Sequence, residues 1–300
     1  MSPPLAFLEA GTIPSTSALG DAIGQRLSSS SSPIRTLLDC LCASTDPAIY
    51  APDISRPPLA HQELRSFVAN FSLPHSSRYA RLGRNDRIMV VLPSGPENAV
   101  ALLAMSTYHS CAPINANCTT AELLDDALRL RARAIVTTVD VAKKLDVGTL
   151  EAELGCDIIL LHKRTSGSAG LFDLTLLHDT STSGSFQPSE PHTLDDVSLI
   201  LHTSGTSGKK KVVRYSLRTL IVGTWCVVQS WDLKPNDINS GFFLLLFVYY
   251  TRPANLLLLS EYDAAFSCRG DSAELARARS FRGSGCHVPR LRFQRILDIV

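Results

Sequence analysis

Ile88-Met89-Val90-Val91-Leu92, then Pro93-Ser94-Gly95-Pro96, then the run that continues to Tyr108: this stretch decides the fold of the 300-residue chain. Five consecutive apolar residues read as a strand covered on both faces. The Pro-Ser-Gly-Pro segment reads as a turn, and Pro96 as the first residue of a helix, where its missing N–H costs nothing. Cys111 to Ile114 gives a second strand. Thr119-Thr120-Ala121-Glu122 then has capping-box spacing and opens a helix through Arg131, with Leu123, Ala127 and Leu130 on one face. Ala134 to Thr138 and Cys156 to Leu161 supply further strands. Short apolar strands alternating with helices predict an α/β fold, a mainly parallel sheet with helices on both faces.

Upstream, His61 to Asn70 carries Leu64, Phe67 and Val68 at helical spacing and reads as an amphipathic helix that packs on the strands and helices after it. Ser28 to Ser32 is a polyserine run with too little apolar surface to order itself, so an N-terminal arm is expected over 1–33. Downstream, Thr165 to Pro191 is rich in Ser, Thr and Gly and reads as a surface linker. Val197 to His202 reads as a strand, Val212-Val213 as an extended segment, Ser216 as an N-cap and Leu217 to Trp231 as a helix closed by Leu233 to Asp237.

Between that strand and the extended segment lies Thr203-Ser204-Gly205-Thr206-Ser207-Gly208-Lys209-Lys210-Lys211. Gly205 and Gly208 allow positive φ and close backbone approach. The hydroxyls donate to phosphate oxygens, and successive backbone N–H groups in such a turn make an anion-binding concavity. The lysines supply the matching charge. The spacing is not that of the Walker loop, which needs four residues between its glycines and a Ser or Thr directly after the lysine. The competing reading is a solvated Ser/Gly/Lys turn without a ligand.

Composition narrows the classes. A formal net charge of +1 gives no argument for nucleic acid or a membrane surface. The eight cysteines are scattered without C-x-x-C pairs, which argues for buried thiols rather than zinc or redox chemistry. The first residues lack a basic stretch followed by an apolar one, and the last three are not S-K-L, so a cytoplasmic, reducing location is expected. The longest apolar stretch, Phe242 to Tyr250, falls short of the about 20 residues an integral membrane segment needs.

The loop resembles the signature of the adenylate-forming (AMP-binding) ligase superfamily, T-S-G-T-T-G-x-P-K-G, which includes acyl-CoA synthetases, luciferases and peptide-synthetase adenylation domains. Thr203 to Gly208 match it with Ser207 for Thr, and Lys211 falls on the signature lysine. Lys210 replaces the usual Pro and Val212 the usual Gly. Asp86-Arg87-Ile88 with Leu92-Pro93-Ser94-Gly95-Pro96-Glu97 resembles the superfamily's G-D-R-V-x-x-x-L-P-N-G-x-E run, and Cys111-Ala112-Pro113-Ile114-Asn115 its G-A-x-x-x-P-x-N segment. The resemblance covers about His61 to Asp237, the N-terminal part of such a ligase.

It implies a two-step reaction. A carboxylate attacks the α-phosphorus of MgATP, giving an acyl adenylate and pyrophosphate, and a thiol, usually of coenzyme A, displaces AMP. ATP, Mg2+ and coenzyme A are the implied cofactors, and a small carboxylic acid the substrate. Thr203, Ser204, Thr206 and Ser207 are expected on the β- and γ-phosphates. Gly205 and Gly208 are expected to give backbone access, and Lys209 and Lys211 to offset charge. Lys210 is expected to face solvent and His202 to be a structural strand-end residue. No catalytic residue or metal ligand is assigned, because the resemblance places the Mg-binding glutamate, ribose-binding aspartate and adenylation lysine beyond residue 300. A truncated, impaired enzyme is therefore expected. The readings that compete with it are a non-catalytic nucleotide-binding or regulatory module, and part of an adenylation domain serving a carrier protein.

Residues 34–238 are expected to form the partial domain. From Asn239 to Val300 the charge changes character, with eight arginines and no lysine against fourteen and seven before it. An atypical tail, from a shifted reading frame or retained non-coding sequence, is expected over 239–300.

Overall fold

The computed structural model describes residues 34–51, 56–76, 82–178, 190–203, 211–230, 238–239 and 256–258, all within the unit Met1–Asp263. A 3-10 turn, Leu37–Cys40, precedes strands β1 (Pro47–Tyr50) and β2 (Leu59–Ala60) and helix α1 (His61–Ala69). Then come β3 (Arg87–Val91), α2 (Pro96–Tyr108), β4 (Ser110–Pro113), α3 (Thr120–Leu130) and β5 (Ala134–Thr137). Helices α4 (Val139–Lys144) and α5 (Val147–Leu154) lead to β6 (Asp157–Lys163) and β7 (Phe172–Leu176). The order closes with β8 (Val197–Thr203), β9 (Lys211–Ser216), α6 (Leu217–Ser230), β10 (Ile238–Asn239) and β11 (Leu256–Leu258).

Seven strands form the main sheet in the order β7-β6-β5-β3-β4-β8-β9. The inner five are parallel, and β7 and β9 run antiparallel at the edges. This is the α/β, mainly parallel arrangement that the alternation of strands and helices implies. Successive strand residues point to opposite faces, and each face has its own core. Ile88, Val90, Cys111, Val136, Ile159 and Leu199 pack with α1, α2 and α6. Met89, Val91, Ala112, Ile135, Ile158 and Ile200 pack with α3, α4 and α5. Both faces being covered explains why β3 reads as an unbroken apolar run.

Helix α2 is buried along its whole length. At its start, Glu97 is 5% exposed and meets Arg56, whose Nη2 donates to the Ser168 carbonyl at 3.0 Å. At its end, the Tyr108 hydroxyl donates to the Val68 carbonyl at 2.9 Å, which ties α2 to α1. The α3 capping box forms as its spacing implies: Glu122 N donates to Thr119 Oγ1 at 3.2 Å and Thr119 N to Glu122 Oε2 at 2.8 Å.

One expectation changes. The Ser/Thr/Gly-rich stretch 165–191 is not solely linker, because β7 lies inside it and pairs with β6 from Ile159↔Leu176 to Lys163↔Phe172. The Phe172 ring is buried edge-on against Phe67 with centroids 5.0 Å apart. Gly170 turns the chain into this strand at φ +87°, and a Cβ there would stand 2.9 Å from Val100 Cγ2 of α2. A second sheet has the order β10-β11-β1-β2, with β1 parallel to β11 and antiparallel to β2. Among the described residues no helix is long and apolar enough to cross a membrane.

Candidate functional site

Strand β8 brings the expected phosphate loop to the carboxyl edge of the parallel strands, the edge at which open α/β sheets bind ligands. β8 and β9 form an antiparallel hairpin whose pairing reaches Thr203↔Lys211. The ends of the loop are therefore held side by side. Thr203 is the last residue of β8, and Lys211 is the first of β9 and exposed. Ser204, Gly205, Thr206, Ser207, Gly208 and Lys209 lie outside the described residues, as does Lys210.

Polar contacts fix the hairpin to the sheet. Ser198 Oγ donates to the Ser106 carbonyl of α2 at 2.6 Å, and Ser110 Oγ to the Val197 carbonyl at 2.6 Å. His192, wholly buried ahead of β8, donates its backbone N–H to the Thr107 carbonyl at 2.7 Å. Its ring nitrogens lie 3.0 Å from the Ser106 carbonyl and 2.8 Å from that of Arg84. Asp196 accepts from Thr193 N and Oγ1, both at 2.8 Å, and from Arg84 Nη1 at 3.2 Å. Burial alone raises its carboxyl, but the Thr193 donors, Arg84 and His192 together hold it below the ordinary carboxylate value. On the far side, Ser216 caps α6: Thr219 N donates to its Oγ at 3.2 Å.

His202 sits one residue before the loop with its side chain 9% exposed. Its Nε2 lies 3.8 Å from Oδ1 of Asp126, which is 1% exposed on the inward face of α3. The sequence reading singled out neither Asp126 nor His192. For Asp126 the signal was available, because a carboxylate stands at a helical position between the core residues Leu123, Ala127 and Leu130. His192 lies in a stretch read as running from linker into strand, and nothing local announces its burial.

Cys111, buried, and Cys40, half-buried, carry no comparable chemistry. Burial pushes Cys40 and Cys111 up to about 12, far from a thiolate at neutral pH. Among the described residues no group of three His, Cys, Asp or Glu side chains is placed to hold a metal ion.

The sequence pattern of the AMP-binding enzyme family matches residues 78–257, from ahead of β3 to β11. The chain is 27% identical over 201 residues to the acetyl-coenzyme A synthetase of Laribacter hongkongensis, covering 60% of this chain and 30% of that protein. It is 27% identical over 172 residues to acetyl-coenzyme A synthetase 1 of Candida albicans, covering 52% of this chain and 25% of that one. The chain thus spans less than a third of the length of these curated relatives. Among solved structures, ATP-bound MatB from Rhodopseudomonas palustris superposes with a TM-score of 0.54 at 16% identity, over 82% of this chain and 48% of that one. At that identity the likeness concerns the fold alone.

Proposed function

The chain belongs to the AMP-binding enzyme family, and on that premise we propose that it carries the phosphate-holding part of an ATP-dependent ligase that activates a small carboxylic acid. The observation that carries the reading is the Thr203↔Lys211 pairing, which closes a hydroxyl- and glycine-rich loop at the carboxyl edge of the sheet with a lysine at its mouth. Thr203, Ser204, Thr206 and Ser207 hold the β- and γ-phosphates of ATP, Gly205 and Gly208 open the backbone to them, and Lys209 and Lys211 offset their charge. Preorganised donors and cations of this kind contribute most in nucleotidyl transfer, where charge shifts onto the departing oxygens.

In the first step a carboxylate oxygen forms a bond to the α-phosphorus as the bond to the β-phosphate oxygen breaks, releasing pyrophosphate. In the second, a thiol, coenzyme A in this reading, takes the acyl group and AMP leaves. Residues 203–211 act on the first step through the leaving pyrophosphate. Mg2+ accompanies ATP, and no described residue is assigned to hold it.

A pyrophosphate-release assay with ATP, Mg2+ and a panel of short, aromatic and fatty carboxylic acids tests the activity. Release that depends on one class of acid supports it. Nucleotide binding without release with any acid replaces it with a non-catalytic nucleotide-binding role. An arm over 1–33, a partial domain over 34–238 and an atypical tail over 239–300 complete the proposal. The change of composition from Asn239 onward, eight arginines and no lysine, supports that tail. Peptides from 239–300 absent from the protein's tryptic digest, with peptides from 34–238 abundant, support that reading; abundant ones from both overturn it.

A further inference from the structure

His192 is wholly buried, and each of its two ring nitrogens meets a carbonyl oxygen: Nδ1 lies 3.0 Å from that of Ser106 and Nε2 2.8 Å from that of Arg84. A carbonyl oxygen only accepts. A neutral imidazole has one N–H and one lone pair and can satisfy one of the two, whereas an imidazolium donates to both. In the neutral ring the remaining lone pair faces a buried carbonyl oxygen, which is then left without a donor. The ring thus bears on three segments: the turn before β3 through Arg84, the last turn of α2 through Ser106, and the approach to β8, on which His192 itself sits.

A buried charge is costly unless an opposite charge and hydrogen-bond partners meet it. Both are present. Arg84 is one cation against two carboxylates, Glu190 at 3.3 Å and Asp196 at 3.2 Å, so this cluster is one negative charge in excess until His192 is protonated. Burial raises the Asp196 carboxyl, and the Thr193 donors, Arg84 and then a positive His192 bring it down.

We propose that His192 is a proton-dependent clasp: protonated on both ring nitrogens it fastens the approach to β8 onto α2 and the turn before β3, and loss of one proton opens one of the two ring contacts. The clasp does not depend on what the loop after β8 binds. Its contribution to stability is present where the ring is doubly protonated and is lost as pH rises, because a proton bound in the folded chain favours folding.

Other titratable groups lie on the elements around the ring. The turn before β3 adds Asp86, which faces Arg133 at 3.6 Å. The end of α2 adds Tyr108, on the Val68 carbonyl, and His109, whose Nδ1 lies 2.9 Å from the Gly83 carbonyl. β4 brings Cys111, whose thiol burial pushes up to about 12; β8 brings His202 at its far end; and Arg218 of α6 pairs with Asp195. All of these are shared by wild type and a His192 variant, so their titration cancels in the comparison.

The test is urea unfolding of the full chain and of His192→Gln, whose amide offers a donor and an acceptor but no charge, from about pH 5.5 to about pH 8.5, which brackets the ordinary histidine range. The folding constant of wild type divided by that of the variant should fall about tenfold across that range, the scale of one hydrogen bond to a charged group. Asp196, held below 3.8, stays ionised throughout and adds nothing to the change. A ratio that stays constant or rises with pH overturns the clasp. If His192→Gln does not fold, nitrogen NMR of histidine-labelled wild type at the acid end of the range decides, with His192 assigned through its contact with Thr107. Two ring N–H groups on His192 support the clasp, and a single one overturns it.

Discussion

Helix α2 and the β8–β9 hairpin belong to the same fold and are held by opposite means. Every residue of α2 is buried, and its partners on β3 are apolar atoms on a face exposed by 1% or less. The hairpin is half open: β9 has no fully buried residue, and hydroxyl, imidazole and carboxylate contacts hold the entry to β8. Close packing favours one arrangement and resists change. Polar tethers hold the β8–β9 hairpin while Lys211 stays exposed, and such loops on a rigid scaffold are the usual place for binding chemistry. On the proposed function, stability and ligand binding draw on separate residues, and substitutions should separate the two.

The largest effect should fall on α2. Leu103→Ala removes a side chain that is 1% exposed, and unfolding in urea should show a loss of about 2 to 5 kcal/mol. A loss below about 1 kcal/mol would mean that the site collapses around the gap and that α2 is not the rigid half. Next comes the strap across α2. Gly170→Ala forces a Cβ against Val100 Cγ2 at 2.9 Å, from a backbone at φ +87° that side chains rarely adopt. A cost of about 2 kcal/mol is expected in the same urea measurement.

Asp196→Asn should cost less, about 1 kcal/mol at neutral pH, since the carboxylate is partly exposed and its donors lie in a loop. Its sign is fixed by the lowered carboxyl of Asp196. A group held below its unfolded value of 3.8 stabilises the fold above that value, and the contribution is lost as pH falls through the folded one. The gap between wild type and Asp196→Asn in melting temperature should therefore be full at neutral pH and close in acid below about 3.8. A gap that widens in acid would show that Asp196 does not hold the hairpin through its charge.

The same contrast explains what the sequence discloses. β3, α2, β4 and α3 can be read from it because both signals are local: continuous apolar runs for strands with two covered faces, and a proline or a capping box at each helix start. β7 cannot, because Phe172 to Leu176 sits among Ser and Gly and becomes a strand by pairing with β6. β1 likewise depends on β11, more than two hundred residues away in the chain. α4 and α5, of 6 and 8 residues, are too short to display a period. At the proposed site, loop chemistry and the family signature single out Thr203 and Lys211, which the structure pairs at the ends of β8 and β9. The place of Asp126 among the core residues of α3 is legible too, whereas the burial of His192 depends on which elements meet in space, and a single chain read in order does not say.

The measurement closest to the central claim is calorimetric titration of pyrophosphate or ATP into wild type, Lys211→Ala and Lys210→Ala. One charge-assisted contact contributes about 1.5 to 3 kcal/mol, so Lys211→Ala should weaken binding roughly tenfold or more. Lys211→Ala should keep the wild-type urea midpoint, since Lys211 is exposed. Lys210→Ala should weaken binding far less. Equal losses from the two substitutions, or no binding by the wild type, would contradict the account and reduce residues 203–211 to a basic turn.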